Sequence, residues 1–162
     1  MADRIDVMLE QWRRERPDLD LSALDTFGRL ARLMAVLTPR VERVLTAHGL
    51  RGGEFDVLAA LRRSGEPFTM MPSGLSDELM MSRAGMTNRL DRLEAAGLVD
   101  RALDPGDRRS FRITLTAKGR DVIDAALTEH AANLARLLDA LTEQERATLN
   151  RTLRTLQEAV TD

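Results

Sequence analysis

Residues 97–116 hold the one change of apolar period in this chain, and that change narrows what it can fold into. Up to Gly97 the apolar residues recur at helical spacing. Beyond it, Leu98, Val99 and Ala102 precede the stretch DPGDRR (104–109), and Phe111, Ile113 and Leu115 then alternate with Arg112 and Thr114. Alternation at a period of two puts one face of a strand inward, and Asp104-Pro105-Gly106-Asp107 is strong turn chemistry. The segment predicts a β-hairpin, the only β-structure expected in an otherwise helical chain.

The helices on either side have local signals of their own. Ile5, Met8, Leu9 and Trp12 form the apolar side of a short helix that Pro17 closes. A longer stripe runs from Ser22 to about His48 through Leu24, Phe27, Leu30, Leu33, Met34, Leu37, Val41, Val44 and Leu45. Pro39 predicts a bend or a division in it, and His48-Gly49 a C-terminal stop. A third helix covers about Gly53 to Ser64 with Phe55, Leu58 and Leu61 inward. Pro72 opens a short helix ending near Leu79, and Ser82 caps a longer one through Ala96 with Met86, Leu90 and Leu93 on its inner face. After the hairpin, Thr116 caps a helix from about Ala117 to Ala140, and the capping box Thr142-Glu143-Gln144-Glu145 starts the last one.

Three helices followed by a two-stranded hairpin is the order of a winged helix-turn-helix, so the expected class is mainly α with a small β-hairpin. Residues 1–48 would form N-terminal helices with an extra first helix, 49–116 the winged module, and 117–162 the C-terminal helices. In such a module the third helix enters the major groove and the wing reaches the neighbouring backbone or minor groove. The outer face of that helix offers Arg83, Thr87, Asn88 and Arg92, and the wing offers Arg108 and Arg109. Arginine suits a narrow minor groove, where the negative potential is enhanced. The alternative is a solvated turn whose arginines pair with Asp104 and Asp107. Charge favours the first reading: residues 79–120 hold nine Lys or Arg against five acids, a local +4 in a chain of net charge −2. A basic segment in an acidic chain suggests an anionic partner, usually nucleic acid.

Other classes are poorly supported. With no cysteine there is no disulfide framework, zinc-thiolate site or cysteine nucleophile, and the imidazoles His48 and His130 stand 82 positions apart. His48 reads as a cap or surface residue and His130 as half-buried packing. No G-x-S-x-G, H-E-x-x-H, Walker loop or GxGxxG occurs, so neither catalytic nor metal residues nor a cofactor are expected. The eight methionines fit core packing. No apolar run approaches the length that spans a bilayer and the N-terminus has no signal-like apolar region, so the cytoplasm is the expected location, with no membrane partner.

The stretch SRAGMTNRLDRLEAAGLVDRALDPGDRRSFRITLTAKGR (82–120) resembles the DNA-binding core of the multiple-antibiotic-resistance regulator (MarR) family. The likeness is strong over 50–120, and the flanking helices fit that family's dimerisation region. The resemblance implies a homodimer on a pseudo-palindromic operator in double-stranded DNA, with affinity lowered by a small ligand and repression as the commoner habit. The apolar sides of the terminal helices support a dimer independently, because a 45-residue winged module is too small to cover them. Two recognition helices about 34 Å apart would match successive major grooves. A monomer with an internal helical bundle is the alternative.

Four residues suggest where the ligand sits. Arg89 lies among Met86, Leu90 and Leu93, where the family usually has an apolar residue, and a cation there wants an anion. Asp56 interrupts Phe55, Val57 and Leu58, Arg101 lies on the first hairpin strand, and Trp12 is in the extra helix. The set is similar to the urate-responsive branch of the family, in which residues of these types shape a pocket, and Trp12, Asp56, Arg89 and Arg101 match it with Asn88 beside them. A planar aromatic anion, urate or a phenolic or carboxylic acid, would find a stacking face and a charge-assisted donor fork. It would compete for Arg89 and break a pairing that holds the recognition helix in its DNA-ready pose. The plainer reading makes Arg89 and Asp56 a structural ion pair and Trp12 part of the core. A winged helix serving only as a protein-interaction module, without operator binding, is the rival at the level of function.

Overall fold

The computed structural model describes residues 3–106 and 110–161. In chain order the elements are α1 (Arg4–Glu15), α2 (Ser22–Ala47), α3 (Gly52–Arg63), β1 (Thr69–Met70), α4 (Pro72–Glu78), α5 (Arg83–Ala95), β2 (Val99–Leu103), β3 (Phe111–Leu115), α6 (Ala117–Leu137) and α7 (Glu143–Thr161). They divide into two compact units at the Arg43–Val44 junction.

In the first unit Asp3 starts α1 by accepting from the backbone N–H groups of Ile5 and Asp6, while the Asp6 carboxylate accepts from the N–H of Asp3. This reciprocal box satisfies donors that a helix start leaves orphaned. Ile5, Leu9 and Leu21 form a small buried cluster with Met8 packed against it. Arg29 on α2 donates to the carboxylates of both Asp3 and Asp6, at 2.6 Å for Asp6. The helix α2 is not divided at Pro39 but continues to Ala47, which corrects that part of the sequence expectation. A proline removes one helical donor, and its lost acceptor, the carbonyl of Ala35, lies on an exposed residue where water can replace the bond.

The second unit comprises the winged module and the C-terminal helices. Its core is built from Val57, Leu58 and Leu61 of α3, Leu75 of α4, Met86 and Leu93 of α5, Val99 and Ile113 of the sheet and Ile123 of α6, each almost fully buried. The hairpin β2–β3 is antiparallel, with Val99 opposite Leu115 and Leu103 opposite Phe111. It also gains a third strand: β1 pairs with β3 through Thr69–Thr114 and Met70–Ile113, giving the order β1-β3-β2. The expectation that the hairpin was the only β-structure is thereby corrected. Two residues are too few to display alternation, and the Thr69 and Thr114 hydroxyls meet at 2.9 Å only because the chain has already folded.

Ser82 caps α5 by accepting from the N–H of Gly85, and Gly97, at φ +69°, ends it. Three carbonyls beyond that end are then taken by the start of α6. Lys118 Nζ donates to the Ala96 carbonyl at 2.7 Å, the Thr116 hydroxyl to that of Gly97 at 2.9 Å, and the Thr116 N–H to that of Leu98 at 3.1 Å. Thr116 also caps α6 by accepting from the Gly119 N–H. The TAKG sequence (116–119) therefore begins one helix and seals the end of another. Among the described residues, no helix is long and apolar enough to cross a membrane.

Candidate nucleic-acid interface

The buried side of α5 consists of Met86, Leu90 and Leu93, which turns the opposite side outward. Arg83, Thr87, Asn88 and Arg92 are all exposed. Arg83 occupies the first helical position, and the Thr87 hydroxyl donates back to its carbonyl at 3.0 Å, leaving the hydroxyl oxygen to accept. Arg92 is engaged within the protein: its Nε donates to Glu54 of α3 at 2.6 Å. The wing arginines Arg108 and Arg109 lie outside the described residues. At the base of the wing, Asp104 is buried and accepts from the Gly106 N–H at 2.6 Å and from Arg112 across the hairpin. That aspartate shapes the turn from within.

Of the four residues assigned to a ligand, the structure brings Asp56 and Arg89 near one another in the second unit. Arg89 is half-buried, donates through Nη1 to the Gly85 carbonyl at 3.1 Å, and lies directly over Gly53 of α3. A Cβ at Gly53 would sit 2.8 Å from the Arg89 Cζ, so the glycine opens the slot that the guanidinium fills. Among the described residues no ion pair joins Arg89 to Asp56, yet the cation is close enough to lower the acid's proton affinity. Arg101 is directed to two acids of α5, Asp91 at 2.7 Å and Glu94 at 3.4 Å. Trp12 stands on α1 in the first unit and is 47% exposed. His130 stacks at a tilt on Phe55 with centroids 5.0 Å apart, and His48 Nε2 lies 3.1 Å from a Glu129 carboxylate oxygen.

Two carboxylates on α3 behave oppositely. Lost hydration pushes the Asp56 carboxyl above its ordinary value, and Arg89, Arg63 and His130 counter this only in part. Burial would raise Glu54 as well, but the hydrogen bonds from Arg92 and the Arg51 N–H outweigh it and hold the carboxyl below its usual range. The raised group favours the folded state when protonated, so its contribution is present below the carboxylate range and is lost as pH rises through its folded pKa. Asp56→Asn should therefore raise the melting temperature at pH 7 by about 2 °C, a gain of roughly 0.5–1 kcal/mol. The gain should vanish near pH 3. An unchanged melting temperature at pH 7 would contradict it.

Sequence reasoning missed Gly53, Glu54, Asp91 and Glu94, all of which position a predicted arginine. One signal was available: Glu54 stands four and seven residues before Leu58 and Leu61, an acid on the buried stripe of α3. Its partner, 38 residues later, was not legible.

The fold and this interface agree with comparison to known proteins. Residues 48–110 match the model of the MarR family. The HTH-type transcriptional regulator PecS of Dickeya dadantii (strain 3937) is 39% identical over 142 residues, which cover 88% of this chain and 86% of PecS. Among solved structures, AbsC, a MarR family transcriptional regulator from Streptomyces coelicolor, superposes with a TM-score of 0.79 at 24% identity, over 88% of this chain and 97% of AbsC. A mutant MarR from E. coli complexed with operator DNA superposes with a TM-score of 0.73 at 24% identity, over 84% and 96%. Helical content, winged module and sequence likeness over most of both chains converge: this chain belongs to the MarR family and is a DNA-binding transcriptional regulator rather than an enzyme.

Proposed function

We propose that the chain is a homodimeric repressor that binds a pseudo-palindromic operator and is released by a small aromatic anion. The operator reading rests on α5, whose inner face is buried in the winged core while Arg83, Thr87 and Asn88 stand outward, Arg83 and Thr87 in its first turns. Residues near the start of a recognition helix are the ones that reach base edges, and asparagine pairs with adenine in two-bonded geometry. Arg108 and Arg109 on the wing complete the set as phosphate or minor-groove contacts. Residues 49–116 serve DNA, while 1–48 and 117–162 supply the dimer.

Support for the dimer comes from apolar side chains without cover in the single chain. Leu127, Leu134, Leu138, Leu149 and Leu153 are each about two-fifths exposed on the C-terminal helices, and Phe27, Leu33 and Met34 half exposed on α2. A contiguous apolar surface of this kind is rare on a monomer.

Ligand response rests on Arg89. It is a half-buried cation on the recognition helix with an acid nearby and no ion pair among the described residues, so an incoming anion would find a charge-assisted donor not already spent. Drawing the guanidinium away from Gly53 would unseat α5 from α3, and operator affinity would fall by the difference in ligand affinity between the two poses. Urate and simple phenolic acids are the first candidates. The test is a titration of DNA from the chain's own upstream region with and without urate, for wild type and Arg89→Ala. Release of at least tenfold in wild type and none in the variant supports the reading. Equal behaviour of the two proteins overturns the role of Arg89.

A further inference from the structure

We propose that Glu54 is a positioning residue for operator recognition, and that Arg92 acts on DNA through it, by tying the last turns of α5 to the first turn of α3 rather than by contacting a phosphate. The inference rests on the DNA-binding reading above and concerns two residues that otherwise look unrelated, one a buried acid and the other an exposed cation on the recognition helix.

Glu54 is 7% exposed, one of three buried polar or charged residues among those described. Both its carboxylate oxygens are used. Oε2 accepts from the Arg51 N–H at 2.9 Å, closing the start of α3, and Oε1 accepts from Arg92 Nε at 2.6 Å. A carboxylate removed from water costs several kcal/mol unless it is paired, so the arginine is what permits the acid to be there. The attachment repeats one turn earlier on α5: Arg89 lies in the slot above Gly53, the residue next to Glu54. Two arginines three positions apart on α5 thus dock on two consecutive residues of α3. Arg92 stands nine residues beyond the start of α5, about 13 Å along the helix from the end that enters a groove. Its charge is spent on Glu54, which leaves Arg83 and the wing to neutralise phosphates.

A phosphate contact and a positioning contact differ in salt dependence. Removing one phosphate contact reduces the slope of log affinity against log salt by about 1, whereas losing helix position leaves the slope and lowers the preference for operator over random DNA. The experiment measures both quantities on the full chain for wild type, Glu54→Gln, Arg92→Gln and the double variant, with circular dichroism and melting to verify folding. Glutamine at 54 keeps an oxygen for the Arg51 N–H, so the cap survives and only the charged partner of Arg92 is lost. The expected result is an unchanged slope, an operator preference reduced about fivefold or more in each single variant, and no further reduction in the double. Arg92→Lys, which keeps the charge without Nε, should resemble Arg92→Gln in preference. A slope reduced by about 1 in Arg92→Gln, with Glu54→Gln behaving as wild type, overturns the proposal and makes Arg92 a phosphate contact. Absence of DNA binding by the wild type at low salt overturns the regulatory reading itself, and the proposal with it.

Discussion

Gly119→Ala should cost the protein about 3 kcal/mol, read as a fall in melting temperature of roughly 6–12 °C. Gly119 is buried in the first turn of α6, and a Cβ there would overlap the carbonyl oxygen of Leu98 and sit 2.9 Å from both that carbonyl's carbon and Leu115 Cδ1. The obstruction is backbone, which cannot rotate away as a side chain would. Relief requires α6 to back off from the end of α5, which opens the three bonds from Thr116 and Lys118 to the carbonyls of residues 96–98. The recognition helix would lose its C-terminal seal in the same step. Gly74→Ala makes the contrast: it lies in α4 with nothing near its Cβ position, and alanine there should stabilise by about 0.5–1 kcal/mol. Equal melting temperatures for the two variants would show that α6 does not dock as described.

The second large effect concerns assembly. Leu149→Glu combined with Leu153→Glu should convert the dimer to a monomer and weaken operator binding by about a hundredfold or more, since each winged module would then bind its half-site without the other. These leucines stand one turn apart on α7 and are 40% and 42% exposed, and α7 has no buried side chain among the described residues. Two carboxylates placed there remove little from the interior of the single chain. They would, however, be buried unpaired if the same face met its copy across a two-fold axis. Sedimentation of the variant as a folded monomer is the expected outcome. A dimer that persists at micromolar concentration would place the subunit contact elsewhere.

Legibility in the sequence depends on the range of the interactions involved. Ser82, Thr116 and Thr142 act on N–H groups within three residues of themselves, and all three caps form where their spacing predicts. The hairpin was legible because Phe111, Ile113 and Leu115 alternate over enough residues to show a period. Strand β1 was not, because Thr69 and Met70 become a strand only when β3 is beside them. The site divides similarly. The outward arginines and asparagine of α5 can be placed from helix phase alone. Their partners cannot: Glu54 meets Arg92 across 38 positions, and Arg101 meets Asp91 by way of the helix-to-strand turn. Pairings of that kind depend on how α3 and β2 pack against α5, which no local pattern encodes.

The central claim, that this regulator grips DNA through arginines on α5 and the wing, is tested most directly by a salt series. Affinity for a duplex from the chain's own upstream region is measured between about 50 and 200 mM salt, beside a scrambled duplex. With Arg83, Arg108 and Arg109 contacting phosphates in each half of a dimer, log affinity should fall against log salt with a slope near −5, a loss of about a thousandfold across that range. The upstream duplex should bind more tightly than the scrambled one throughout. Binding that is equal for both duplexes, or that does not change with salt, would contradict the account.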